Sequence, residues 1–374
     1  MKYYIIAGEA SGDLHASNLM KGLKKLDPSA AFRCWGGDLM AAQGGQLVKH
    51  YRDLAFMGFV EVVANIKTIT ANIRFCKQDI LNYTPDVLIL VDYPGFNLRI
   101  AEFGKIKGFR VFYYISPQVW AWKQSRVHKI KKFVDRMFVI LPFEKEFYAR
   151  YDYDVDFVGH PLLDMIENMP ENIGTGFRQE NRLTDRPIIA LLPGSRKQEI
   201  KTMLAVMLEV MDDFPEYQFV VAGAPSQERS FYDTIIRKRK VKLIEGQTHR
   251  LLQNSYAAIV TSGTATLETA LFGVPEVVCY KGSYISYQIA KRVIDRSVIS
   301  FISLVNLILG REAVRELIQD DFTRNNLILE LRKITANRDV REKMSQDFTE
   351  LRQKLGGAGA SQKTASLILN ALKK

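Results

Sequence analysis

Short apolar runs recur along this chain, and longer stretches with apolar positions every three or four residues separate them. Tyr3–Ala7 is the first run, followed by a glycine turn and a helical pattern over Leu14–Leu26. Asp86–Asp92 is β-rich and almost wholly apolar, as a strand buried on both faces should be. Arg110–Ile115, Met137–Leu141 and Val155–Val158 read as further strands. From Leu162 to Asp185 the periodicity fades into polar residues with Pro170, Gly174 and Gly176, the composition of a linker. The pattern then restarts with Pro187–Leu192, Tyr217–Ala222, Lys240–Ile244, Ala257–Val260 and Glu276–Tyr280, each leading into a helical stretch. From Asp320 the chain reads as helical, and Gly356-Gly357-Ala358-Gly359 interrupts it before a last helix over Ser361–Leu372.

Such alternation predicts an α/β protein with two doubly wound, Rossmann-like parallel sheets. Residues 1–165 form the expected first domain and 186–345 the second. Residues 346–374 form an expected helical tail that packs on the first domain or on a partner subunit. Two such halves leave a cleft between the carboxyl ends of their strands, where open α/β sheets bind ligands.

The chain has 374 residues, a 47% hydrophobic share that supports two cores, and a net charge of +11. That charge suits a polyanionic partner or a phosphorylated substrate, or serves solubility alone. Cys34, Cys76 and Cys279 are too far apart in sequence for metal or redox pairing and read as buried thiols of a reducing compartment. His15, His50, His128, His160 and His249 lack zinc-ligand spacing. The amino-terminal run is too short for a signal peptide, and no run approaches the ~20 apolar residues that span a bilayer. No nucleic-acid signature is present, so no nucleic-acid partner is expected.

Candidate chemistry lies at the strand ends. Ser262-Gly263-Thr264-Ala265-Thr266-Leu267-Glu268 follows a strand and opens a helix, whose first N–H groups suit a pyrophosphate. Glu268 lies one turn after Thr264 on the same face and can accept hydrogen bonds from both hydroxyls of a ribose. After the first strand of the same half, Gly194 and Ser195 can present amides and Arg196 can contact phosphate oxygens. Together the two loops read as a nucleoside-diphosphate site. Separately, each also reads as an ordinary capped helix or a solvated basic turn.

In the first half, Gly8-Glu9-Ala10-Ser11-Gly12-Asp13 is neither a dinucleotide fingerprint nor a P-loop. Ser11 and Asp13 can cap the helix, and with Glu9 they can face a ligand. Asp92 ends the apolar strand and reads as a general base or as a turn-stabilising residue, with Asn97 capping the next helix. The loop Tyr114–Trp122, with Ser116, Gln118 and Trp120, can pack aromatic faces on sugar or on the core. The basic run Lys123, Arg126, Lys129, Lys131 and Lys132 reads as a solvated helix face. Phe59, Val62, Val63, Ile66, Ile69 and Ile73, with Lys67, Arg74 and Lys77, form an amphipathic helix that faces an anionic membrane or the core. Asp152, Asp154 and Asp156 resemble a D-x-D metal motif but read better as an acidic turn.

Several collinear stretches carry a family resemblance. They are Gly8–Asp13, Met57–Val62, Val91–Asn97, Tyr114–Trp122, Leu141–Glu144, Phe157–Leu162, Leu192–Arg196, Ser262–Glu268 and Ser303–Glu312. The chain resembles the lipid-A-disaccharide synthases, inverting glycosyltransferases of the GT-B fold. The resemblance implies transfer of a sugar from UDP-2,3-diacylglucosamine to 2,3-diacylglucosamine 1-phosphate, giving a β-1,6-linked disaccharide and UDP. It implies Asp92 as the base and Arg196 as a stabiliser of the leaving diphosphate. Gly194, Ser195, Ser262, Gly263, Thr264 and Glu268 would bind the donor. Asn306, Glu316 and Gln319, in the Ser303–Glu312 stretch and the helix expected after it, would line the donor side. Glu9, Ser11, Asp13, Ser116, Gln118 and Trp120 would meet the acceptor. It implies no metal or cofactor, a homodimer, and a peripheral place on the cytoplasmic face of a Gram-negative inner membrane.

Overall fold

The computed structural model describes residues 1–53, 66–122, 124–170, 174–282 and 301–373. The chain folds into two units, Met1–Glu167 with Leu355–Lys374, and Asn168–Lys354.

The first unit holds seven strands: β1 Lys2–Ala7, β2 Ala31–Gly36, β3 Gln46–His50, β4 Val87–Val91, β5 Arg110–Tyr114, β6 Arg136–Val139 and β7 Asp156–Phe157. They pair in the order β3-β2-β1-β4-β5-β6-β7, all parallel. The order turns at β1 and β4, where Ala7 lies opposite Val91. The loops after Ala7 and Val91 therefore leave the sheet side by side, in the crevice where doubly wound sheets bind ligands. β4 is buried along its whole length because helices cover both faces. On one face, Ala16, Leu19, Met20 and Leu23 of the helix Ala10–Leu26 recur at helical spacing and pack on β1, β4 and β5. Ala365, Ile368 and Leu369 of the helix Ala360–Leu372 join the same core.

The second unit holds β8 Ile188–Leu192, β9 Gln218–Gly223, β10 Lys242–Glu245, β11 Ser255–Thr261, β12 Glu276–Tyr280 and β13 Arg315–Ile318. The order is β10-β9-β8-β11-β12-β13, again all parallel, and it turns at β8 and β11 with Leu192 opposite Val260.

The two-sheet expectation agrees with this architecture, but three strands were not foreseen. β2 carries Arg33, β3 carries Lys49, and β13 carries Arg315 and Glu316. These lie at or next to sheet edges, where a strand needs no continuous apolar run. Glu316 thus sits on a strand rather than on a helix, and Gln319 opens the single 3-10 turn Gln319–Asp321. The expected linker contains the helices Pro161–Glu167 and Phe177–Glu180. The expected tail divides: residues up to Lys354 complete the helix Arg338–Lys354 of the second unit, and the rest belongs to the first.

Candidate active site

Each unit presents one loop cluster at its own switch point. In the second unit, Gly194 has φ +100, and a Cβ there would stand 2.2 Å from Glu199 Oε2. That carboxylate folds back over the start of its helix, Lys197–Glu209, and accepts the Ser195 N–H at 3.1 Å. Ser226 Oγ and Gln227 Nε2 donate to the Ser195 carbonyl at 3.2 and 3.0 Å. The Ser195 and Arg196 side chains stay exposed above this braced turn. Next to it, Ser262 Oγ donates to the Ile302 carbonyl at 3.1 Å, while Gly263 and Thr264 are exposed at the start of the helix Thr264–Leu271. Glu268 lies one turn on, with Oε2 3.5 Å from His249 Nε2. The His249 ring stacks on Phe272 at 5.5 Å, which fixes the direction of that nitrogen. The turn that carries exposed Arg196 and the exposed helix start with Glu268 one turn on thus leave the sheet from the two adjacent strands of its switch point.

In the first unit, Asp92 follows β4 with φ +45, and Tyr93 follows it with φ +49. Two consecutive non-glycine residues in the left-handed region are strained and need support. Asn97 Nδ2 donates to the Asp92 carbonyl at 2.7 Å and to the Val91 carbonyl at 3.2 Å, and the Tyr113 hydroxyl donates to the Asp92 carbonyl. Tyr93 is the N-cap of the helix Pro94–Ile106, so Asn97 clamps the turn rather than capping the helix. The Tyr93 ring lies against Gly8, where a Cβ would meet ring atoms at 2.3 Å. Burial pushes the Asp92 carboxyl up to about 6, the nearby Glu9 carboxylate adds to the rise, and the Tyr93 backbone N–H opposes it. A carboxylate with that pKa can hold a proton it removes from a hydroxyl.

Other expected site residues are occupied within the fold. Glu9, in extended backbone geometry, occupies the N-cap of the helix Ala10–Leu26, so neither Ser11 nor Asp13 takes that place. Asp13 is buried and instead accepts from the Gly37, Leu39 and Met40 N–H groups at 2.8–3.1 Å, capping the helix Asp38–Ala42. Ser116 Oγ lies 2.7 Å from the Tyr148 hydroxyl, and Trp120 packs edge-on against Phe143 at 5.0 Å. Gln118 and Ser11 stay exposed. Asn306 is fully buried, bonded to Ala313, Val314 and Glu316. Glu316 also accepts the Ile302 and Ser303 N–H groups at 3.0 and 2.9 Å. These two side chains hold the backbone beneath Ser262 through Ile302. Gln319 has φ +54 and a buried Nε2 with no hydrogen-bond partner among the described residues.

The structure also adds residues to which the sequence reading gave no role. Gln227, His249 and Tyr113 support the loops from other elements, so no local motif marks them, whereas Glu199 braces its own loop from the first turn of the helix that follows. Glu144 lies buried beneath the Ser116–Trp120 loop with Oε2 accepting the Leu141 N–H at 3.0 Å. Burial lifts its carboxyl to about 8 against the pull of Leu141, Ser116, Ile140 and Trp120. Only the E of the Leu141–Glu144 stretch hinted at it.

The amphipathic helix is described over Ile66–Tyr83; Phe59, Val62, Val63 and the stretch Met57–Val62 lie outside the described residues, as does Lys123. Its Ile73, Cys76 and Ile80 are buried, and Asp79 takes Arg33 and the Tyr4 hydroxyl, while Ile66 and Phe75 are 59% and 52% exposed. Among the described residues no helix is long and apolar enough to cross a membrane, and no three His, Cys, Asp or Glu side chains could share a metal ion. Asp156 pairs with Arg136 at 2.6 Å, and Asp152 occupies a left-handed turn position.

The profile of the family described as lipid-A-disaccharide synthetase matches residues 3–371. The lipid-A-disaccharide synthase of Syntrophus aciditrophicus is 39% identical, covering 99% of this chain and 97% of its own. That of Trichlorobacter lovleyi is 37% identical, covering 98% and 96%. A solved UDP-GlcNAc 2-epimerase from Neisseria meningitidis, bound to UDP-GlcNAc, has the same fold, with a TM-score of 0.70, 13% identity and 100% coverage of both chains. At that identity the likeness extends to the fold alone, whereas the whole-length sequence matches show that the chain belongs to the lipid-A-disaccharide synthase family.

Proposed function

We propose that this chain transfers 2,3-diacylglucosamine from UDP-2,3-diacylglucosamine to the 6-hydroxyl of 2,3-diacylglucosamine 1-phosphate, with inversion. The observation that carries the mechanism is Asp92, a carboxyl near pKa 6 on a clamped turn at the switch point of the first unit. Asp92 takes the proton of the acceptor hydroxyl as its oxygen bonds to the anomeric carbon. The bond from that carbon to the diphosphate breaks, and the electron pair leaves with UDP. Arg196 and the N–H groups at Gly263 and Thr264 stabilise the charge that grows there. Glu268 holds the ribose, and Gly194, Ser195 and Ser262 shape the phosphate cradle. Ser11 and Gln118 are exposed and, with Glu9, would meet the acceptor. Asn306 and Glu316 act as positioning residues for the Ser262 loop.

Acylated substrates place the enzyme at a membrane surface. The exposed Ile66 and Phe75, with Lys67 and Arg74 on the same helix, fit a peripheral contact with the cytoplasmic face of the inner membrane. Family membership favours a homodimer, which light scattering checks. The likeness to a UDP-GlcNAc 2-epimerase is one of fold alone, and the whole-length relatives carry the synthase name.

The test is UDP release from UDP-2,3-diacylglucosamine in detergent and EDTA, with and without the acceptor. Acceptor-dependent release is expected. Asp92→Asn should lower kcat by about 10²–10⁴-fold while UDP affinity stays normal. Normal turnover in that variant would remove Asp92 from the mechanism.

A further inference from the structure

His249 lies in the first turn of the helix Thr248–Gln253, which follows β10. The strands are parallel, so it stands at the end of the second sheet that also carries the loops of Gly194–Arg196 and Ser262–Thr264. Leu251 and Leu252 of the same helix are fully buried in the core of this unit. Arg250 ties the helix start to Glu180 at 2.6 and 2.9 Å and to Gln247 at 2.9 Å. The backbone that carries His249 is thus held from two sides. Its ring meets two side chains of a neighbouring helix. Glu268 and Phe272 are four residues apart in and just after the helix Thr264–Leu271, so they share a face. The imidazole stacks on Phe272 with 22° between the ring planes. Its Nε2 then points at Glu268 Oε2, 3.5 Å away. A shift of about half an ångström closes that contact into a hydrogen bond. Among the described residues no other polar side chain meets the Glu268 carboxylate. The His249 and Glu268 side chains are 28% and 22% exposed, which leaves the carboxylate open to a ligand.

We propose that His249 is a positioning residue that makes the donor site prefer ribose over 2′-deoxyribose, by holding the Glu268 carboxylate where two sugar hydroxyls meet it. The proposal rests on the reading that Glu268 receives the ribose. A glutamate left to itself on a helix surface spreads over many rotamers, and binding a sugar then costs it that freedom. The stacked imidazole removes most of the freedom beforehand. The nitrogen that faces a carboxylate carries the proton, so His249 donates to one side of Oε2. The carboxylate has two oxygens with several lone pairs, and those turned away from His249 remain for hydroxyl donors. Fixed in this way, the carboxylate cannot turn to water when a hydroxyl is missing. A deoxy sugar therefore leaves it without a donor, and that deficit is the source of selectivity. A carboxylate free to rotate finds water instead and discriminates less.

The test is titration calorimetry of the full chain with UDP and with 2′-deoxy-UDP. The wild type should bind UDP about 10–100-fold more tightly than the deoxy analogue. His249→Phe keeps a ring against Phe272 and removes the N–H donor, and it should lower that ratio about three- to tenfold. Lost packing alone would weaken both nucleotides equally and leave the ratio where it was. Glu268→Ala should abolish most of the preference, and adding His249→Phe to it should change the ratio no further. A wild-type ratio in His249→Phe overturns the proposal, as does an equal further fall in the Glu268→Ala background. The two readings fail differently. If Glu268→Ala loses the preference and His249→Phe keeps it, the role of His249 alone is refuted. If Glu268→Ala keeps the wild-type ratio, the ribose reading of Glu268 is wrong and the proposal falls with it.

Discussion

Asp92 and Glu9 carry the pH behaviour of the first unit. Burial first, then the Glu9 carboxylate, raise the Asp92 pKa to about 6. A base acts when deprotonated, so kcat should rise with pH through that value and level off above it. Glu9→Gln removes a charge that disfavours ionised Asp92. The acid limb of the kcat profile should therefore move to lower pH, and a limb that stays in place or moves up would show that Glu9 does not sense Asp92. The position of Asp92 was legible in the sequence because an acid closes an apolar strand. Its supports were not: Tyr113 lies on the neighbouring strand β5, and the Asn97 side chain reaches back to carbonyls rather than capping its helix.

At the scale of elements, buried carboxylates decide which turns stand. Asp13 satisfies three N–H groups at the start of the helix Asp38–Ala42. Asp13→Ala leaves those donors buried without partners, which should cost about 2–4 kcal/mol in denaturant unfolding. Because this anchor is structural, donor and acceptor KM should change little in the fraction that folds, and a large acceptor-specific rise in KM would restore Asp13 to the ligand site. Sequence placed Asp13 at the ligand because its motif follows a strand. Reading it correctly needed the position of Gly37, which lies beyond the unforeseen strand β2. The same limit hid Glu316 on β13, since a strand carrying Arg315 and Glu316 has no apolar signature. The interior strands β4, β8 and β11 were legible because burial on both faces demands unbroken apolar runs.

At the scale of the whole molecule, the first unit is closed by residues from the far end of the chain. Asp164 accepts the Gly359, Ala360 and Ser361 N–H groups at 2.6–3.0 Å, which caps the last helix. Gly22 lets that helix approach the helix Ala10–Leu26, since a Cβ there would stand 3.1 Å from the Ala365 Cβ. Deleting residues 355–374 uncovers one face of the first core and leaves the second unit whole. Calorimetry should then show a separate transition at lower temperature, with UDP binding retained by the second unit. A single transition at the wild-type temperature would mean that the last helix adds nothing to the first core.

Separation along the chain adds a constraint on birth. A ribosome emits Asp164 long before Gly359, 195 positions later, and in that interval the second unit can fold by itself. Until the final helix emerges, the nascent first unit lacks the Ala365, Ile368 and Leu369 side chains that complete its core, and the side of the helix Ala10–Leu26 around Gly22 stays open to water. The amino-terminal half, made first, is thus the last to be finished, and a stalled ribosome would hold a client for holdase chaperones rather than half an enzyme.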